Sequence, residues 1–350
     1  MKRIGGFFSL AVLLGLVAAH AFGQEKQAPD KIERRDKKGT TTTVTGRIVE
    51  ETPAGIKVRQ DGKAKDVEVP SNEVQRVLYG DYNNVLAKAV GATAASDRDH
   101  NYPDLVRQYE AIAAMPDAKL PTVGANAKRY LEFKLAQARA GAAETDEQVK
   151  AAIKGLADFA AAHAASWQYP HVLRQLGRLQ ADVGDLAAAT KTFETLEKAA
   201  VPAEFKLEAT AALIDVAFQG DQKAEVKTRL DKIVADANAP SALKDRAALY
   251  QIALGGAEGD VSATVKKLEE SIAKTQDPGL RALAYNVLGD LYSAKGQKRD
   301  AMWSYLWVDQ VYNQDRGEHV KAMTRLIKIF EADMDPDKVR MYKEKVNRTR

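Results

Sequence analysis

The sequence predicts a mostly α-helical chain, an α-solenoid of antiparallel helix pairs preceded by a small antiparallel β unit. Three observations predict it. Texture rich in Val, Ile and Thr is confined to residues 40–80. From Asp81 onward, Gly, Pro and Asp breaks separate segments of about 11 to 22 residues, the ordinary length of globular helices. Within that region Pro202, Pro240 and Pro278 stand 38 residues apart, twice. A fixed period of about 20–50 residues marks a solenoid.

Composition agrees. Of 350 residues, 45% are apolar but only 7% aromatic, which suits helices packed closely through alanine rather than a β-rich body. The formal charge is +4, and +2 once Lys2 and Arg3 are removed. Near neutrality argues against a nucleic-acid partner. The chain has no cysteine, so it contains no disulfide, thiolate nucleophile or cysteine metal site.

Residues 1–21 read as a signal peptide. Lys2 and Arg3 form a basic start, Ile4 to Ala19 is uncharged, and Ala19-His20-Ala21 supplies the small residues of a cleavage site. A cut falls after Ala21 or Gly23; the rival is an uncleaved membrane anchor, weakened by three glycines in the apolar run. With no cysteine after that run, lipid attachment is closed. The expectation is export to the periplasm or cell envelope, with no stable membrane insertion afterwards. Residues 22–39 are polar and charged and read as a linker.

In residues 40–80, Val44, Gly46 and Ile48 alternate with Thr45, Arg47 and Val49, the period of a half-buried strand. "TPAG" at 52–55 and "DG" at 61–62 are turn signals. Some 40 residues seldom hold a core alone, so this unit should lean on the helices. It resembles, in its strand–turn–strand texture, the small SH3-like or Sm-like modules that precede helical regions in exported bacterial proteins.

Residues 81–165 give helical pairs without a consensus. Residues 166–350 give the repeats and closing helices. Gly184, Gly220, Gly259 and Gly296 mark a second register at 36, 39 and 37. Two copies align without gaps, Gly177, Gly184, Ala189 and Phe193 with Gly289, Gly296, Ala301 and Tyr305. Tyr285, Leu288, Gly289 and Tyr292 share one helical face, and Ala301, Tyr305 and Val308 share another. Gly289 and Ala301 are small because two helices touch there. This pattern resembles the tetratricopeptide repeat, with its small residue in helix A, turn glycine, and alanine and aromatic in helix B. The copies at 203–236 and 241–274 lack the pattern, and the period exceeds the family's 34. A lone hairpin barely offsets its ordering entropy, so the units must stack on one another.

The resemblance implies a concave groove lined by helix A and a protein or peptide partner. Carried onto these copies, the groove candidates are His171, Arg174 and Arg178, then Asn286, Asp290 and Ser293. The first set would present positive charge to acidic side chains or a peptide carboxylate. Trp303, Trp307 and Tyr312 pack against the closing helices or form an exposed patch, with packing the expected outcome. The basic segment at 337–350 reads as a solvated, fraying last helix.

No catalytic motif appears. There is no phosphate loop, nucleophile elbow or His-Glu-x-x-His, and "DRDHNYPD" at 97–104 lacks the ordered spacing of a calcium loop. No catalytic residue, metal or cofactor is expected. The reading is a non-enzymatic interaction scaffold or adaptor. The alternatives are an enzyme using Asp97, Asp99 and Asp104 beside the β unit, and a structural protein that self-associates end to end.

Overall fold

The computed structural model describes residues 28–82, 84–116, 124–258 and 261–349. The leader and its cleavage site, residues 1–21 and Gly23, lie outside them, as does Gly259 of the glycine register.

Five antiparallel strands come first, β1 (Asp30–Arg35), β2 (Thr41–Thr52), β3 (Gly55–Arg59), β4 (Val67–Pro70) and β5 (Val74–Leu78). They form one sheet in the order β4-β3-β2-β1-β5, and a 3-10 turn, Ser71–Glu73, joins β4 to β5. β1 corrects the sequence reading, for it lies inside the stretch 22–39 taken as linker and pairs with β2 on one side and β5 on the other. Ile32 is its one apolar side chain, and it is fully buried. The Asp30 carboxylate fastens the strand at both sides, accepting from Ile48 N and Gly80 N at 2.7 Å each.

The sheet does not close a core by itself. Ile32, Val58 and Val77 belong to one buried cluster with Tyr79, Tyr130 and Trp167 of the helical region. Tyr79 and Tyr130 meet edge to face at 5.9 Å. Buried Glu51 at the end of β2 pairs with Arg129 and accepts the Tyr79 hydroxyl at 2.9 Å.

Helices fill the rest. α1 (Asn84–Ala92), α2 (Ala94–Arg98) and α3 (Tyr102–Ala113) lead into α4 (Ala125–Ala142), α5 (Asp146–Ala162), α6 (Tyr169–Asp182) and α7 (Leu186–Lys198). Then come α8 (Ala203–Gln219), α9 (Lys223–Ala235), α10 (Ser241–Glu258), α11 (Val261–Lys274), α12 (Pro278–Ala294), α13 (Lys298–Gln310), α14 (Arg316–Ala332) and α15 (Pro336–Thr349). Consecutive helices pack as hairpins, and alternate ones also touch: α4 with α6, α6 with α8, α10 with α12, α12 with α14. The even-numbered helices thus form the inner wall of a coil. Pro202, Pro240 and Pro278 each stand at a helix start, where a missing N–H costs nothing.

The turns inside the pairs share one chemistry. Asp185 N, Gln222 N, Gln297 N and Asp335 N each bond the carbonyl five residues back, at 2.9–3.0 Å, the Schellman closure of a helix C-terminus. The left-handed residue in each is Gly184, Asp221, Gly296 and Met334. Gly220 is therefore not the register residue; its φ is −80° and Asp221 takes the left-handed position.

Small residues sit where helices approach most closely. A Cβ on Gly177 would stand 2.7 Å from Phe193 Cζ, and one on Gly289 would run into Tyr305. Ala189 and Ala301 are fully buried on the facing helices. The α3–α4 pair uses the same device with the helices exchanged, Tyr102 of α3 resting on Gly141 of α4. The coil's two ends also meet. α15 touches α4, and Arg316 donates to the Tyr102 hydroxyl at 3.0 Å.

Two expectations need correcting. α15 is no fraying tail, since Tyr342 and Val346 are buried against α14 and Lys345 donates to Asp309 at 2.5 Å. Trp303 and Trp307 do not pack against the closing helices; they are 52% and 47% exposed.

Candidate functional site

On the inner wall, α6 carries the first group of candidates. Turns of an amphipathic helix put His171, Arg174 and Arg178 on one face, turned toward the interior of the coil. His171 Nε2–H donates to the Ser71 carbonyl at 2.8 Å, so it ties the helical region to the 3-10 turn of the sheet. Its ring lies among Trp167, Phe133 and Phe205, at 5.7, 6.1 and 5.0 Å. Burial, helped by the Arg174 charge, pushes its pKa down to about 3. It is a neutral structural histidine at physiological pH.

Arg174 lies over the Phe205 ring at 5.5 Å, a cation–π contact, and pairs with Glu208 of α8 at 3.3 Å. Arg178 reaches the same carboxylate at 3.7 Å, and its side chain stays 53% exposed. Two guanidiniums thus share one carboxylate, leaving one positive charge in excess at the rim.

Farther along, the wall is closed by its own side chains. Glu318 of α14, 1% exposed, pairs with Arg246 of α10 and with Lys321 at 3.1 Å, and accepts Asn286 Nδ2 at 2.9 Å. Lys321 also pairs with Asp215 of α8. Asp290 pairs with Arg325, whose second nitrogen stands 2.7 Å from Oδ2, and accepts the Tyr305 hydroxyl at 2.8 Å. Burial works to raise Glu318, but Lys321 and Arg246 outweigh it and hold the carboxyl well below its usual range. The space left among these side chains is about 10 Å³, room for about one water. Of the residues set by sequence on the wall of an open groove, the Asn286 amide nitrogen is committed to α14 and the Asp290 carboxylate to α13 and α14; Ser293, one turn on, is exposed. The physical reason is curvature. The inner helices turn tightly enough for α8 and α10 to reach α14.

Of the three acids considered for chemistry near the β unit, Asp97 and Asp104 are engaged, and Asp99 is exposed. Asp97 holds Lys134 with both oxygens at 2.7 Å. Asp104 accepts from Ser96 at 2.5 Å and Gln108 at 2.6 Å. His100 takes the left-handed conformation and lies 5.9 Å from Tyr102, ring to ring. Among the described residues no three His, Cys, Asp or Glu gather as a metal ion would require, and no helix is long and apolar enough to cross a membrane.

The sequence reading offers Trp303, Trp307 and Tyr312 as an alternative exposed patch but leaves out Tyr285, which it assigns to repeat packing. Tyr285 of α12 lies 5.9 Å from Trp307 and 5.5 Å from Tyr312, its plane within 18° and 17° of theirs.

No protein-family model matches the chain, and no curated protein does. Among solved structures, a tetratricopeptide repeat protein from Parabacteroides merdae aligns with 75% of this chain and 93% of its own, at 15% identity and a TM-score of 0.44.

Proposed function

We propose that the protein is a non-enzymatic interaction scaffold of the bacterial cell envelope, exported by a cleaved leader, that receives an acidic segment or C-terminal carboxylate of a partner protein at the rim of its inner wall. One observation carries this reading: Arg174 and Arg178 share the single carboxylate of Glu208, and Arg178 faces solvent. A guanidinium on a rigid helix is preorganised for bidentate carboxylate recognition. Trp167, Phe133 and Phe205 hold that helix turn in place. A four-strand meander, with the last strand returning beside β1 after a 3-10 turn, supports an SH3-like reading of the N-terminal module. That module serves here as a brace, joined to α6 through His171.

The test is crosslinking of the intact chain in its native envelope, with Arg178→Glu beside wild type. Arg178 is exposed, so the variant keeps its fold. Loss of the principal crosslinked protein is expected. Equal recovery from both would remove the rim as the docking site.

A further inference from the structure

β2 leaves half of one edge open. The strand pairs with β1 from Thr41 to Gly46, and with β3 only from Arg47 onward. Among the described residues, no strand pairs with its β3-side edge over Thr41–Thr45. Two hydrogen bonds fix which main-chain groups face that way. Ile48 N points to the β1 side, where the Asp30 carboxylate accepts it, and the Thr45 carbonyl points to the β3 side, where it accepts Gln60 Nε2 at 3.1 Å. Successive residues of a strand direct their N–H and C=O groups to opposite sides. Thr41, Thr43 and Thr45 therefore all turn theirs to the open edge, and their side chains are exposed.

The outer edges of the sheet are guarded. β4 is four residues long and ends at Pro70, and at β5 Val77 N is already donated to the Tyr130 hydroxyl at 3.3 Å. Short strands, prolines and charges are what normally keep an edge from pairing. From Thr40 to Gly46 the open edge has no proline and no charge.

Shape chooses the occupant. At one end β3 and the Gln60 side chain lie across the line of the edge. At the other the chain turns away to β1 through residues 36–39, a turn held by the Asp36 carboxylate, which accepts Lys38 N and Thr40 N at 2.9 Å each. A long strand of another protein would run into β3. The same stretch of a second copy avoids this, because antiparallel pairing sets its departing turn beside β3 of the first. About a two-fold axis at Thr43, Thr43 faces itself and Thr41 faces Thr45. All three then meet as hydrogen-bonded pairs, threonine against threonine, with no like charges directly opposed. A shift of two residues either way brings in Arg47, already taken by β3, or Gly39 of the turn.

We propose that Thr41–Thr45 of β2 is a homodimer seam, pairing antiparallel with the same edge of a second copy and joining two five-stranded sheets into one.

The chain has no cysteine, so introduced ones report the contact. Hydrogen-bonded antiparallel partners stand about 5.5 Å apart at Cα, within disulfide reach. Under mild oxidation of the full chain, Thr43→Cys should give a covalent dimer. Thr41→Cys or Thr45→Cys alone should give little, and an equal mixture of those two should give a dimer again. Ultracentrifugation should show wild type passing from monomer to dimer with concentration and stopping there, since a two-fold interface is closed. Thr43→Pro removes an N–H that faces solvent in the monomer, which an edge tolerates; circular dichroism verifies the fold, and dimerisation should weaken at least ten-fold. Should that variant misfold, Thr43→Lys takes its place, setting like charges against each other at the axis. Arg178→Glu should leave the dimer unchanged, so this reading and the rim reading fail separately. A chain that stays monomeric overturns the proposal, as does a dimer that Thr43→Pro leaves intact or that Thr41→Cys alone crosslinks as readily as Thr43→Cys. It is also overturned if wild type forms no dimer and Thr43→Pro instead loses a foreign protein crosslinked in the envelope, which would give the edge to another protein's strand.

Discussion

At the residue scale, two kinds of glycine do opposite work. Gly177 and Gly289 exist because an aromatic ring occupies the space a Cβ would need. Gly177→Ala and Gly289→Ala should each cost about 1–3 kcal/mol by overpacking, read as a lowered denaturation midpoint at unchanged m-value. Gly155 on α5 meets nothing within reach of a Cβ, so Gly155→Ala should stabilise by about 0.5–1 kcal/mol through helix propensity. The turn residues give the converse case. Gly184 and Gly296 take positive φ at no steric expense, whereas Met334 takes it as an ordinary L-residue, 88% exposed. Met334→Gly should therefore raise stability by about 1 kcal/mol, visible as a higher melting temperature. These positions also show what a sequence can disclose. The small–aromatic pairs 177/193 and 289/305 were legible because both partners keep a fixed spacing across one turn. Asp221 was not, because what recurs from turn to turn there is a dihedral angle, and a neighbouring glycine at 220 stood as a decoy.

At the element scale, the last helix is held by a buried hub. Asp309 of α13 accepts from His319 Nε2 at 2.8 Å, from Lys345 at 2.5 Å and from Tyr342 at 3.3 Å. Burial works to raise Asp309, but the His319 and Lys345 hydrogen bonds prevail, and its pKa falls from 3.8 to about 2. A carboxylate depressed on folding stabilises the native state above its unfolded pKa, and that contribution fades as pH falls through the folded value. It should be complete above about pH 5 and lost toward about pH 1, about 2 kcal/mol in all. Amide exchange in α15 should accelerate across that window in wild type and show no such step in Asp309→Asn. The hub also explains why the C-terminus was misread. Its basic residues suggest a solvated end, and the one acid that recruits Lys345 lies 36 residues earlier. β1 escaped for a similar reason, since a strand with a single inward apolar residue has no alternation to detect. The repeat was plain because prolines and glycines punctuate it locally. The closure of the inner wall was not, because it depends on how tightly successive pairs turn.

At the scale of the whole molecule, that closure changes how the coil should unfold. A solenoid whose units touch only their neighbours behaves as a one-dimensional chain and can melt progressively from its ends. Here Asp215 of α8 pairs with Lys321 of α14, and Arg246 of α10 pairs with Glu318 of α14, so units far apart in sequence are braced together. Arg316 adds a link from α14 to Tyr102 of α3. The braces run through Glu318, where two cations and the Asn286 amide converge on one buried carboxylate. Glu318→Gln keeps the shape but removes the charge, leaving Arg246 without that partner in a buried setting. Breaking one side of a buried pair costs about 3–5 kcal/mol, far more than any exposed pair in this chain should. The wild type should show one calorimetric transition with amide protection uniform from α8 to α14. Glu318→Gln should lower its midpoint and let α14–α15 exchange ahead of α8–α11. If the variant instead melts as a single unit with unchanged order of exchange, the cross-coil pairs do not couple the repeats, and neighbour packing alone accounts for the cooperativity.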